Sequence, residues 1–394
     1  MFHPLHVYVH LPFCERKCGY CAFASLAGRR DLHAAYAAAL VRDITQYCTT
    51  FARADIFFVW QSLYLGGGTP SCMAAELLAH VIDSVWKNGR CVAPMEVTVE
   101  CNPHSLSARW IRTLRAAGVT RWSIGVQSLA ATELTALGRL HTPAQARAAF
   151  AMLRAQHCAN VSVDLMYGIP QQTTATWEDT LREITTQWQP EHVSLYALSI
   201  EPGTRFARYQ QEGGHGWHWP DGDAMMDWYW RAEELLAAQN YARYEISNYA
   251  RPGYAARHNL AYWDTAKEYC GFGAAAHSYC QPAPAAPRRR FRAIRAPGEY
   301  IRRMQAGQPV RVCARALTRR QSLGEDIFLA GLRACADTRA VTRRRHLPAL
   351  APHQRRAGRP CASTAFWRTD SATNPGRFAI LLRAGHYCAD PARD

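Results

Sequence analysis

Residues 8–21 read YVHLPFCERKCGYC, a β-like run that ends in three cysteines. Cys14, Cys18 and Cys21 are spaced C-x3-C-x2-C, and Phe23 stands where a further thiol, two places on, would extend the pattern. Residues 5–11 predict a strand, so the cysteines fall just past its C-terminal end. Structural zinc needs four ligands, and a residue such as His10 could complete a site. Cys18 and Cys21 alone could form a redox pair. Three thiolates can also hold three irons of a 4Fe-4S cluster and leave the fourth iron open for a ligand. Spacing alone leaves all three readings open.

Outward from this stretch, short apolar or β-branched runs alternate with amphipathic helical ones. Strands are predicted near residues 5–11, 62–65, 95–100, 121–127, 160–168 and 192–200, and helices across 32–47, 74–86, 107–116, 143–156 and 176–188. Six strands separated by helices predict an α/β fold with a parallel sheet. The unusual residues gather at one end of it. The cysteines follow the first strand, GGGTPS the second, ECNP closes the third, GVQS the fourth, DLMYGIP the fifth and SIEPGT the sixth. In a parallel barrel those ends share the face on which sites are built. Glu100, Gln127, Arg139 and Asp164 lie at or just beyond such ends. Each alone fits a solvated or structural role; together on one face they point to a site.

The 394 residues suffice for a large domain and a smaller one. The net charge of +15 is unevenly spread: residues 1–280 carry 23 Arg and Lys against 24 Asp and Glu, and residues 281–394 carry 23 against 7. A neutral body removes most of the case for nucleic-acid binding. No apolar run approaches the ~18 residues of a membrane helix, and the first residues lack the features of a secretory signal. Fourteen cysteines, irregular outside the first cluster, fit reduced thiols and a cytoplasmic protein. No Walker loop and no dinucleotide fingerprint is present.

Taken together, YVHLPFCERKCGYC, GGGTPS, ECNP, RWSIGVQS, LGRLH, VDLMYGIP and the stretch from YEISNYARPGYAARHNLAYW to GFGAAAHS resemble the radical S-adenosylmethionine group that contains the oxygen-independent coproporphyrinogen III oxidases and the HemW heme chaperones. The resemblance runs from about residue 5 to about 333. It implies an incomplete (βα)6 barrel over residues 1–250, a heme-motif and C-terminal region over 251–333, and a 4Fe-4S cluster on Cys14, Cys18 and Cys21. It implies S-adenosylmethionine held by Gly67, Gly68 and Thr69 together with Tyr8, Tyr20, Glu100, Gln127, Arg139 and Asp164. An electron from the cluster would release a 5′-deoxyadenosyl radical from that cofactor.

Three features favour the HemW branch over the oxidases. The oxidases extend the cluster motif to a further cysteine where this chain has Phe23, and they carry a long N-terminal extension where thirteen residues precede Cys14 here. HNLAYW, from His258 to Trp263, matches the branch motif whose histidine is associated with heme; an arbitrary histidine would more often be satisfied within its own loop. The implied partners are heme and client hemoproteins, respiratory ones among the candidates, with peripheral membrane contact left open and no nucleic acid. The alternative is radical decarboxylation of coproporphyrinogen III. Ala22 replaces an acidic residue usual after the third cysteine. Beyond residue 333 the resemblance stops; residues 334–394 are Arg-, Ala- and Pro-rich without periodicity. This predicts either an out-of-frame end or a disordered basic tail, not a regular helical domain.

Overall fold

The structure, a computed structural model, describes residues 1–315 apart from Thr265 and Pro287, together with two short strands, Phe366–Thr369 and Phe378–Leu381, that pair antiparallel. The expected boundary near residue 333 and most of the expected basic tail lie outside the described residues.

Six strands form the centre of a twelve-stranded sheet: β1 (Phe2–Leu11), β2 (Phe57–Gly67), β3 (Arg90–Cys101), β4 (Arg121–Gln127), β5 (Val161–Tyr167) and β6 (His192–Ala197). Each pairs parallel with the next in chain order. Helices cross between them: α1 (His33–Ala52), α2 (Ala75–Lys87), α3 (Ala108–Ala116), α4 (Ala131–Leu137), α5 (Pro143–Ala155) and α6 (Thr174–Glu183). This is the parallel α/β sheet that the strand and helix pattern predicts, in the incomplete-barrel order that the resemblance implies.

Alternation explains the strands. Leu5, Val7, Val9 and Leu11 of β1 are fully buried, as are Leu63 and Leu65 of β2 and Val161, Val163 and Leu165 of β5; this face packs under the helices. The opposite face carries His6, Tyr8 and His10, then Ser62 and Tyr64, Glu96, Thr98 and Glu100, Arg121 and Ser123, Ser162 and Asp164, and His192 and Ser194. Parallel strands are usually apolar on both faces, so a polar concave face marks an interior built to hold something other than side chains.

β2 begins five residues earlier than predicted. A bulge at Gln61 shifts the register between Leu5 and His6 of β1, so the buried positions change from Phe58 and Trp60 to Leu63 and Leu65. That change of parity hides the strand's first half from a period-two reading. The helix predicted over 176–188 is α6 followed by a π turn, Ile184–Trp188. There the hydroxyls of Thr185 and Thr186 donate to the carbonyls of Leu181 and Arg182, at 2.8 and 2.6 Å, loosening the last turn.

Beyond β6 come α7 (Arg205–Gln211), α8 (Gly222–Ala237), β7 (Ala242–Glu245), β8 (Asn248–Ala250), α9 (Arg257–Trp263), β9 (Tyr269–Phe272), β10 (His277–Cys280), β11 (Arg289–Ala293), α10 (Pro297–Gln305) and β12 (Arg311–Arg315). β8 and β7 add antiparallel beside β6. β9 returns to pair parallel with β1, and β10, β11 and β12 follow antiparallel. Residues on both sides of position 250 thus share one sheet. Asp43 of α1 fastens the far edge, accepting from Tyr300 Oη at 2.7 Å and from Arg311 Nη1 at 2.8 Å.

Candidate functional site

The cysteine loop leaves β1 and turns over the C-terminal ends of the strands. Main-chain bonds hold it: Leu26 N–H donates to Pro12 at 2.6 Å and Gly28 N–H to Cys14 at 3.1 Å. Arg16 Nη2 donates to the carbonyls of Gly138 and Arg139 at 2.6 and 3.0 Å. Phe206 of α7 lies under the loop; a Cβ on Gly19 would come within 2.7 Å of its ring, and its N–H donates to the Gly19 carbonyl at 3.1 Å. Tyr20 packs on the same ring at 6.0 Å.

Cys14, Cys18 and Cys21 are half-buried and free. Thr69 Oγ1 donates to Cys14 Sγ at 3.6 Å and Arg139 Nη1 to Cys18 Sγ at 3.7 Å. Burial raises the Cys14 thiol and pushes Cys21 up to about 11, against hydrogen bonds from Thr69 and from the Phe23 backbone respectively. Arg139 also donates through Nη2 to Gly125 O at 2.9 Å and to Asn102 Oδ1, while its solvent-sealed Nε has no partner among the described residues. A sealed cationic donor beside three thiols fits an anionic iron–sulfur cluster bound through thiolates. His10 does not fit a zinc ligand: Nε2–H donates to Ala24 O at 3.0 Å, leaving Nδ1 to accept from Tyr8 Oη at 3.0 Å. Among the described residues no three His, Cys, Asp or Glu side chains group closely enough to hold a single metal ion.

The strand ends complete the site. Gly67 has φ of +116°, and a Cβ on Gly68 would strike Phe13 O at 2.5 Å; only glycine lets β2 pass so close beneath the loop. Gly67 N–H and Tyr64 Oη donate to the two oxygens of Glu100 at 3.0 and 2.8 Å. Burial lifts the Glu100 carboxyl to about 7 despite these bonds, and the Asp164 charge adds to the rise. Asp164 accepts from Ser123 at 3.0 Å and Ser162 at 3.3 Å, and burial raises it as well. Gln127 adopts a left-handed φ of +69°. A Cβ on Gly125 would meet Gln127 Nε2 at 2.8 Å and Asn102 Oδ1 at 2.9 Å, so Gln127, Asn102 and Arg139 converge there.

The structure thus brings Cys14, Cys18, Tyr20, Thr69 and Arg139 into one set and Tyr8, Gly67 and Glu100 into an adjoining one, with Asp164 further along the concave face. Sequence reasoning missed Asn102, which joins the set by donating through Nδ2 to Thr69 Oγ1 at 2.9 Å and through its backbone N–H to Ser71 Oγ at 3.0 Å. It also missed Tyr64, Ser123 and Arg121. The signal was the alternation itself, as in His6-Val7-Tyr8-Val9-His10. Arg121 is 2 % exposed, and its Nε and the neighbouring Thr98 hydroxyl have no hydrogen-bond partner among the described residues.

His258 stands apart from the cysteine loop, within the barrel. It is 1 % exposed. Its Nδ1 shares a hydrogen bond with Ser62 Oγ at 2.8 Å, and its Nε2 shares one with Tyr262 Oη at 2.9 Å. Glu96 seats α9 by accepting from the N–H groups of Arg257 and His258 at 2.8 and 3.0 Å. The ring stacks on Tyr64 at 5.2 Å and lies 6.4 Å from Tyr8. Burial holds its pKa well below the usual histidine value.

Residues 8–184 match the family model of the Radical SAM superfamily. The heme chaperone HemW of Haemophilus influenzae is 33 % identical over 300 residues, 76 % of each chain. HemW of Escherichia coli is 35 % identical over 70 % of each chain, and HemW of Mycobacterium tuberculosis 37 % over 70 % of each. The solved coproporphyrinogen III oxidase HemN of Escherichia coli superposes with a TM-score of 0.73 at 21 % identity, covering 87 % of this chain and 79 % of that one. The superposition establishes the fold, and the sequence relatives separate the branches within it. With a barrel of this topology, three thiols over its strand ends and identity of this extent across most of each chain, the protein belongs to the HemW heme-chaperone family of the radical S-adenosylmethionine superfamily.

Proposed function

We propose that this protein binds heme and transfers it to hemoproteins, carrying a 4Fe-4S cluster on Cys14, Cys18 and Cys21 and S-adenosylmethionine across the strand ends. The observation that carries the reading is the joining of the three-thiol loop and a complete H-N-x-x-Y-W motif within one barrel. When bound, the cluster with its cofactor would supply one-electron chemistry. The chain's part is positional. Thr69 and Arg139 donate to the sulfurs, the Arg139 guanidinium offsets their charge, and Tyr8, Tyr20, Gly67, Gly68, Glu100, Gln127 and Asp164 would line the S-adenosylmethionine site. His258 would ligate heme through Nε2 once the Tyr262 hydroxyl gives way.

Anaerobic reconstitution followed by parallel heme titration and coproporphyrinogen III turnover tests this. Cys18→Ala should lose the cluster, because a three-thiolate site has no spare ligand; iron and sulfide at wild-type content would place the ligands elsewhere. His258→Ala should weaken heme binding while leaving cluster content intact. Robust conversion of coproporphyrinogen III to protoporphyrinogen IX, with heme binding unchanged in His258→Ala, would assign the protein to the oxidases instead.

A further inference from the structure

Between α7 and α8 the chain reads EGGHGWHWP over residues 212–220. Gly213, Gly214 and Gly216 have φ of +88°, +85° and +67°, and His215 lies among them at +59°, a left-handed state that glycine favours and histidine adopts more readily than most other residues. The loop is closed by Trp219 Nε1–H donating to Gly214 O at 2.8 Å and Trp217 N–H to the same carbonyl at 3.1 Å. It is tied to the turn after β5 by Gln171 N–H donating to His218 O at 2.9 Å and by His218 N–H donating to Gln171 Oε1 at 2.8 Å.

These constraints orient the rings. The His215 imidazole stacks on Tyr209 with centroids 4.1 Å apart and planes 12° apart, and Trp217 stands edge-on to it at 4.9 Å and 87°. Trp217 and Trp219 rest on Phe206 at 5.7 and 5.6 Å, the ring that lies beneath the cysteine loop. His215 and His218 are exposed and Trp217 and Trp219 half-exposed. No hydrogen bond or ion pair engages the ring nitrogens of either histidine among the described residues. Arg205 and Arg208 stand exposed on α7, Arg208 over the Tyr209 ring at 5.8 Å and paired with Glu212 at 3.7 Å.

We propose that this loop is an exposed heme-docking site, with His215 as the axial ligand, His218 beside it, Trp217 and Trp219 as apolar support and Arg205 and Arg208 as cations for the propionates. The inference rests on the heme-chaperone reading and deepens it. A ligand that must leave for a client needs a donor that solvent and the client can reach, and both nitrogens of the buried His258 are engaged by hydroxyls. A macrocycle bound through an imidazole nitrogen would stand perpendicular to that ring, and Trp217, 4.9 Å from it, offers apolar surface beside the macrocycle.

The test is hemin titration of the full chain followed by optical and EPR spectroscopy, comparing wild type, the double variant His215→Ala with His218→Ala, and His258→Ala. In the double variant the surface hemin should bind at least about tenfold more weakly and with an altered spin state while the interior hemin remains, and His258→Ala, which loses the interior hemin, should show the opposite pattern. In wild type, hemin should also shield His215 from modification by diethyl pyrocarbonate, read by peptide mass, a measurement that needs no substitution. Wild-type affinity and spectrum in the double variant would overturn the site, as would loss of zinc binding in that variant with hemin binding retained, which would mark the loop as a simple metal site. If wild type takes up no hemin, the chaperone reading fails and this site with it; if hemin binds but only His258→Ala abolishes it, the chaperone reading stands and this site falls.

Discussion

Glu100 shows how a single side chain acquires its behaviour from its surroundings. Its carboxylate receives two hydrogen bonds, from Gly67 and Tyr64, yet burial still lifts it to about 7. Between the ordinary carboxyl value of 4.5 and about 7, the folded protein holds a proton that the unfolded chain has released. The contribution of this residue to stability therefore falls as pH rises through that window. In the apoprotein, Glu100→Gln should gain on wild type between pH 5 and pH 8 by about 3 °C or more in Tm. A difference that stays constant with pH, in melts of the two proteins side by side, would mean that Glu100 is ionised throughout. His258 makes the complementary point. The sequence motif places it and suggests heme, whereas its burial and its bonds to Ser62 and Tyr262 arise from residues 196 and 4 positions away.

At the scale of elements, the site depends on how β2 passes beneath the cysteine loop. Gly68 has the backbone oxygens of Phe13 and Leu11 at 2.5 and 2.9 Å from where a Cβ would be, and backbone cannot swing aside as a flexible side chain can. Gly68→Ala should therefore lower both Tm and reconstituted iron content, whereas Gly298→Ala in α10, where the added methyl meets nothing within 4 Å, should leave both unchanged or raise Tm slightly. Equal effects of the two substitutions, by melting and iron assay, would show that the close approach does not support the loop. GGGTPS was legible as a motif at a strand end, which the resemblance assigns to S-adenosylmethionine; that it also meets the cysteine loop was not, because the contact spans more than fifty residues. α7 was not predicted, and with it the seat of Gly19 on Phe206 was missed.

For the whole molecule, buried histidines lie on the concave face and, as His141, in the loop between α4 and α5. Burial lowers His6 to about 4 and His141 to about 3, and holds His192 and His258 well below the ordinary value. Unfolding frees them to take up protons near 6.5, so stability falls as pH drops from about 6.5 toward 4; Glu100 and Asp164 oppose this with fewer groups. Apoprotein Tm should fall by at least about 5 °C from pH 7 to pH 5. A flat profile in calorimetry would show these rings already charged in the fold. Among the described residues, no helix is long and apolar enough to cross a membrane.

The order of strands through β6 and of the helices between them apart from α4, the cysteine triplet and the gathering of motifs at strand ends were readable from residues 1–200, because apolar periodicity and glycine placement are local properties and consecutive parallel strands pair in order; α4, only seven residues long, gave too short a period to read. Only the tertiary structure decided that Asn102 links Thr69 to Arg139, that His258 faces Ser62 inside the barrel, and that β9 returns to pair with β1. Each of these rests on contacts between residues far apart in the chain, whose partners are selected by sheet curvature and packing and carry no local pattern.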